Sequence, residues 1–198
     1  MLANVLLAAL LLVFLAWNFA QIPIADWLNF ELFLLSVATL ALAGLALCRP
    51  APRRVDMRWR TQAICWISTV YVLLFERVPI PEAVWLVELA RWSRVIFHSL
   101  AMIGLIMLGR SYSLLPALRD VQDRYLYRWV RHPVYMSYIV ADAAFLVLQF
   151  SWWNLALAWF AAMLFVERAR LEEELLVQDE AYRAYQKRVP YRFIPFVV

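Results

Sequence analysis

Glycine is nearly missing from this sequence: three in 198 residues, at Gly44, Gly104 and Gly109. That scarcity leaves no G-x-G-x-x-G turn and no G-x-x-x-x-G-K-[ST] loop, so neither a Rossmann dinucleotide site nor a P-loop is expected. Cysteine is as scarce. Cys48 and Cys65 both lie in apolar runs, which argues against a disulfide framework, and no Cys/His spacing suits zinc, so no metal is expected. Charge is low as well: 17% of residues are charged, against roughly 25% in soluble domains. What replaces it is apolar mass, 65% of the chain, where about 45–50% is usual.

The apolar residues fall into six runs: Leu2–Ala20, Phe30–Cys48, Thr61–Phe75, Trp92–Gly109, Val134–Phe150 and Trp152–Val166. Crossing a bilayer takes about 20 apolar residues as a helix, and lipid forces the backbone to bond to itself. The expectation is an all-α polytopic membrane protein with five to six transmembrane helices, forming a single domain over residues 1–198. The first run lacks a basic flank and a cleavage site, so it reads as a retained helix rather than a signal peptide. The last two runs, separated by little more than Ser151, read as a tight hairpin or one bent helix. Pro81–Arg94 reads as a separate interfacial helix leading into the fourth run, with Glu88 and Arg91 paired one turn apart.

The cations orient the chain. All of the 19 Lys and Arg except Arg77, Arg91 and Arg94 lie in three stretches: 49–60, 110–131 and 168–192. With the N-terminus cytoplasmic, all three stretches face inside, so both termini are expected there. The membrane would be a plasma or inner membrane, or the endoplasmic reticulum. A pI near 9.3 is then explained by anionic lipid, and nucleic acid is not expected as a partner. The 49–60 stretch carries no motif and reads as a topology signal alone.

Two of the basic stretches are more structured than topology requires. In Arg128-Trp129-Val130-Arg131-His132-Pro133-Val134-Tyr135, proline pushes His132 out of the helical region and suits the first position of a helix. A helix starting at Pro133, beside His132 and several arginines, favours a carboxylate or phosphate. On spacing alone, basic anchoring to lipid headgroups accounts for Arg128, Arg131 and His132 better; the interleaved aromatics and proline are more than an anchor needs. Beyond the sixth run, Leu171, Leu175, Gln178, Tyr182, Tyr185 and Val189 recur at helical spacing, predicting one amphipathic helix at the cytoplasmic C-terminus. Arg168–Glu172, Arg170–Glu174 and Asp179–Arg183 are placed to brace it. Glu172 and Glu173 emerge directly at the membrane exit. Within the apolar runs, His98 and Asp142 stand out as ionisable groups that need a partner or a wet cavity.

Taken in order, Arg131-His132-Pro133-Val134-Tyr135, a hydrophobic hairpin, Glu172-Glu173, Tyr182-Arg183-Ala184-Tyr185, Val189-Pro190 and Pro195 resemble the isoprenylcysteine carboxyl methyltransferase family. Phospholipid N-methyltransferases share its core. The resemblance runs from Leu108 to Pro195, with residues 1–107 matching only in being apolar spans. It implies a membrane enzyme that uses S-adenosylmethionine, held between the Arg-His-Pro loop and the Glu-Glu helix. By position it implies Tyr127, Arg131, His132, Pro133, Tyr135, Glu172, Glu173 and Tyr185 as cofactor-binding residues. Arg188, Glu173 and Arg128 are the candidates for orienting or deprotonating the acceptor. The family usually has glycine just before the aromatic that matches Tyr127; here Tyr125 and Leu126 stand there.

Methyl transfer from a sulfonium is an in-line displacement with a good leaving group, so alignment and desolvation supply most of the rate. A carboxylate acceptor would call on Arg188 or Arg128; an amine would need a base such as Glu173 or His132. The expected partners are membrane lipids and a lipidic or prenylated acceptor. Two other readings compete: a membrane reductase using NADPH, which would need a larger basic site for two phosphates, and a non-enzymatic transporter or assembly subunit. A transporter would show paired helices broken by Gly or Pro at mid-membrane, and these runs hold almost none.

Overall fold

A computed structural model describes residues 51–79 and 81–197, with isolated positions between 8 and 47. The first two apolar runs lie outside the described residues. Five helices account for most of what is described: α1 (Trp59–Val70), α2 (Val84–Leu108), α3 (Pro133–Leu148), α4 (Trp152–Leu176) and α5 (Glu180–Arg188). Two short strands, β1 (Arg54–Val55) and β2 (Ala117–Leu118), pair antiparallel. Among the described residues α2 is long and apolar enough to cross a membrane, and α3 is a shorter apolar helix.

Three expectations change. The separate interfacial helix does not exist: Val84 to Leu108 is one 25-residue helix. The chain from 84 onward holds no proline or glycine before Gly104, so nothing interrupts the backbone bonding. The expected Glu88–Arg91 pair is present on it at 3.2 Å. The second change concerns α4, which does not stop at the sixth apolar run but continues to Leu176, carrying Glu172 and Glu173 on the same rod. The third is the C-terminal amphipathic helix, which is broken. Val177 caps α4, and Asp179 starts α5 by accepting a bond from the Ala181 N–H at 2.9 Å. Leu171, Leu175, Tyr182, Tyr185 and Val189 are all buried, so the apolar stripe survives the break, and only Gln178, at the break itself, is exposed. Asp179 pairs with Arg53 at 3.1 Å instead of with Arg183.

The hairpin between α3 and α4 is tight, as the short separation requires. Ser151 caps α4 through its hydroxyl, which accepts from the Asn154 N–H at 3.0 Å. Asn154 itself is fully buried. Its amide donates to the carbonyls of Glu76 (3.0 Å) and Gln149 (2.7 Å), and its side-chain oxygen accepts from the Glu76 N–H at 3.0 Å. Gln149 Oε1 accepts from Val78 N–H at 2.7 Å. One asparagine thus ties the hairpin turn to the chain leaving α1.

Helices α2 and α3 pack antiparallel. Ala101 and Leu105, late in α2, meet Val134, early in α3. Val87 and Ala90, early in α2, meet Leu148 at the end of α3. Small residues let the two backbones approach closely, as in membrane helix pairs. Gly104 marks the closest point: a Cβ there would lie 2.7 Å from Val134 Cγ2. We expect Gly104→Ala to cost about 1–3 kcal/mol by overpacking. Thermal unfolding in detergent would measure this, and Val134→Ala in the same chain should recover part of the loss.

Tyr71, Leu157, Ala161 and Phe165 join α1 to α4. Asp142 in α3 accepts from the Tyr71 hydroxyl at 2.7 Å, so its hydrogen-bond partner is a tyrosine. His98 instead turns its Nδ1 to the Arg94 carbonyl, 2.9 Å away.

At the other end of the bundle, the 51–60 segment is more than a topology signal. Arg53 binds Asp120 and Asp179, Arg54 binds Gln178, Arg58 reaches Glu174 at 3.4 Å, and Arg60 binds Glu167 at 3.0 Å. Asp56 anchors the start of α1, accepting from Arg58 and from the Thr61 hydroxyl at 2.8 Å. The Arg58 side chain is the main reason that its carboxyl is lowered to about 2. The arginines therefore fasten this segment across the C-terminal half of α4.

Candidate functional site

The site forms where α3 begins and α4 leaves the apolar core. Pro133 is the first residue of α3, and His132 precedes it with extended φ (−126°), as a residue before proline must. The same loop is held from the other side by the C-terminal tail. The backbone N–H groups of Arg131 and His132 donate to the carbonyls of Tyr191 (3.0 Å) and Arg192 (2.9 Å). Those two donors are thus committed within the chain, which the sequence did not reveal.

Glu173 is the centre of the cluster. Its Oε1 accepts from Arg131 Nε and His132 Nε2, each at 2.9 Å, and its Oε2 accepts from Arg192 at 2.7 Å. Burial alone would raise this carboxyl, but the bonds from His132, Arg192 and Arg131 outweigh it and hold it well below the ordinary range. Arg131 also donates to the carbonyls of Val189 (2.8 Å) and Pro190 (2.6 Å), so most of its fork is used inside the protein.

Glu172 faces differently. It accepts from the Tyr135 hydroxyl, and its carboxylate lies 3.8 Å from His132 Nδ1 and 3.5 Å from Arg168 Nε. Its side chain remains about one-fifth exposed (19%), against 6% for Glu173. An aromatic column stands beside it: His132 stacks on Tyr135 at 5.6 Å, and Tyr135 on Phe165 at 5.6 Å.

The structure therefore brings together Arg131, His132, Pro133, Tyr135, Glu172 and Glu173. Tyr127 and Tyr185 lie alongside as braces. The Tyr185 hydroxyl donates to the Tyr127 carbonyl at 2.7 Å, and the buried Tyr127 hydroxyl reaches the Gly104 carbonyl at 3.3 Å. Arg128 and Arg188 are not joined to the cluster. Arg128 lies over the Trp129 ring at 5.2 Å, and Arg188, exposed, pairs with Asp123 at 2.8 Å. Sequence reasoning missed Arg192 altogether, because it sits in coil with no periodic signal. It saw Arg168 only as a helix brace.

Tyr125 adopts φ +55°, the left-handed region that favours glycine. A tyrosine holds this conformation at a cost on the order of 1 kcal/mol.

Arg192→Ala would remove one of three partners from Glu173. Because the Arg192 side chain is 36% exposed, the expected loss is modest, about 1 kcal/mol. Limited proteolysis of residues 189–197 checks the accompanying release of the tail from the loop.

A mostly helical bundle with its ionisable cluster gathered at one basic end defines the class: a helical protein with a buried polar site at the end of its bundle. Residues 93–178 match the isoprenylcysteine carboxyl methyltransferase (ICMT) family. The match starts inside α2, upstream of Leu108, and ends at Gln178, short of the Tyr182–Pro195 motifs. No curated protein matches the chain.

Proposed function

We propose that the protein is an S-adenosylmethionine-dependent methyltransferase that methylates a lipidic or otherwise hydrophobic acceptor at the cytoplasmic face of a membrane. The observation that carries this reading is the junction of the Arg131-His132-Pro133 loop with Glu172 and Glu173 of α4, inside the stretch that matches the ICMT family. In this reading the chain crosses the membrane five to six times with both termini inside. The outward faces support it: Trp85, Leu89, Trp92, Ile96 and Ile103 on α2, and Trp152, Trp159 and Met163 on α4, are exposed apolar side chains suited to lipid.

The residues suit the cofactor, which supplies an activated methyl on a sulfonium. The cluster presents both charge signs and a flat aromatic surface within one helix turn, as a zwitterionic amino-acid end and a cationic sulfur require. Glu173 serves as a positioning residue: with both oxygens occupied and its charge locked on, it holds Arg131 and His132 rather than taking a proton. Glu172, Tyr135 and His132 are the groups that face a ligand. Arg128 or Arg188 orients an acceptor carboxylate only after leaving Trp129 or Asp123.

Thermal unfolding of the detergent-solubilised protein tests this. S-adenosylmethionine or S-adenosylhomocysteine at 100 times Kd should stabilise it by about 2.7 kcal/mol, and NADPH should not. No shift with either adenosyl compound at millimolar concentration would sink the proposal.

A further inference from the structure

Arg168 is the buried cation on the inner side of the cluster, and one of its donors has no acceptor. It lies on α4 one turn before Glu172 and is only 6% exposed. Its Nη1 donates to Ser68 Oγ at 3.2 Å and its Nη2 to the Leu114 carbonyl at 2.6 Å. Those two bonds fix the plane of the guanidinium from α1 and from the segment before β2. Its Nε–H is buried and has no hydrogen-bond acceptor. Glu172 Oε1 stands 3.5 Å from that nitrogen, paired in charge but not aligned for a bond, because it accepts from Tyr135 instead. The guanidinium carbon lies 5.4 Å from the centre of the Tyr135 ring.

A buried N–H without an acceptor costs about 1–3 kcal/mol. Arginine is placed this way where its fork receives a planar anion. Arg131 is a weaker candidate, since its Nε already donates to Glu173 and its Nη1 to Val189 and Pro190, whereas the Nε–H of Arg168 has no acceptor. Across the cluster, Arg131 and Arg192 both pair with Glu173, while Arg168 stands beside Glu172. The Arg168–Glu172 pair sets a cation and a carboxylate side by side, and an α-amino acid carries the complementary pair.

Building on the methyltransferase reading, we propose that Arg168 and Glu172 together bind the amino-acid end of the adenosyl ligand, Arg168 taking its carboxylate and Glu172 its ammonium group. Glu172 was already a candidate from the motif; Arg168 is the new binding residue.

The test compares S-adenosylhomocysteine with 5′-methylthioadenosine, which lacks the amino-acid end, by calorimetry on the full chain in detergent. Wild type should bind S-adenosylhomocysteine at least tenfold more tightly. Arg168→Met, which keeps the volume, should lose that preference while binding methylthioadenosine as before. A merely structural arginine would weaken both ligands alike, and that result overturns the proposal. Should Arg168→Met fail to fold, Arg168→Lys keeps the charge but not the fork, and its preference should fall at least threefold; an unchanged preference overturns the proposal. A third arm tests an acceptor carboxylate as the true ligand: N-acetyl-S-farnesylcysteine against its methyl ester. If Arg168→Met erases discrimination there and not between the adenosyl ligands, the assignment to the cofactor is wrong. Wild type that binds neither adenosyl compound sinks the methyltransferase reading itself, whereas equal binding of both sinks only the role of Arg168.

Discussion

Glu173→Ala is expected to destabilise the protein by about 3–5 kcal/mol and to abolish binding of the adenosyl ligand. Arg131, 8% exposed, would lose its counterion, and His132 would lose the acceptor for its Nε2–H, while neither gains access to water. Glu173→Gln should be nearly as harmful. Its oxygen can still accept from Arg131 and His132, but its amide nitrogen would then meet Arg192, donor against donor. The same residue sets an acid limit. A carboxyl held below its free value stabilises the fold at any pH above that free value, about 4.3, and the contribution is lost as pH falls toward the folded value. Melting curves of wild type and Glu173→Gln should therefore lie far apart at neutral pH and begin to converge below about pH 4, closing progressively toward the folded value. Curves that stay equally separated down to pH 3 would show that Glu173 does not carry the charge that holds this loop.

How far the sequence led to this cluster can be seen residue by residue. Pro133 announced the start of α3, because proline fixes its own backbone and that of His132 by local sterics alone. The short link at Ser151 left a hairpin or one bent helix, and the Ser151 cap and the Asn154 bonds make it the hairpin. Glu172 and Glu173 were visible as charges too close to a membrane exit to be idle. Arg192 was invisible, because its position depends on a tail folding back over 58 or more residues of chain, and no local rule carries that information. The break at Gln178–Asp179 was hidden for a different reason. The apolar stripe continues in phase across it, and periodicity reports which side chains are buried, not whether the backbone between them is continuous. The arginines of 51–60 were read correctly for sign and incompletely for role: a positive loop looks the same whether it faces lipid or the glutamates of α4. Tyr125 shows the converse, a left-handed backbone that glycine would adopt freely and that its residue type does not announce.

Asn154→Ala is expected to destabilise the opposite end of the bundle by about 2–4 kcal/mol, without touching the ligand site. The asparagine makes three side-chain hydrogen bonds in a fully buried position, two to Glu76 and one to Gln149. Truncation leaves the Glu76 N–H and carbonyl and the Gln149 carbonyl without these partners; Glu76 is exposed and Gln149 half-buried, so water replaces part of what is lost and each bond is worth about 0.5–1.5 kcal/mol net. Asn154→Asp should be harmful for another reason. Its carboxylate still accepts from Glu76 N–H but faces two carbonyl oxygens where the amide donated, so it would be held protonated or would drive the turn apart. The two ends then separate experimentally. Asn154→Ala should lower the melting temperature while the remaining folded protein binds S-adenosylhomocysteine with wild-type affinity. Glu173→Ala should lose both. If Asn154→Ala weakened the ligand as strongly as Glu173→Ala does, the hairpin would be transmitting strain along the whole of α4, and the site could not be treated as local to its basic end.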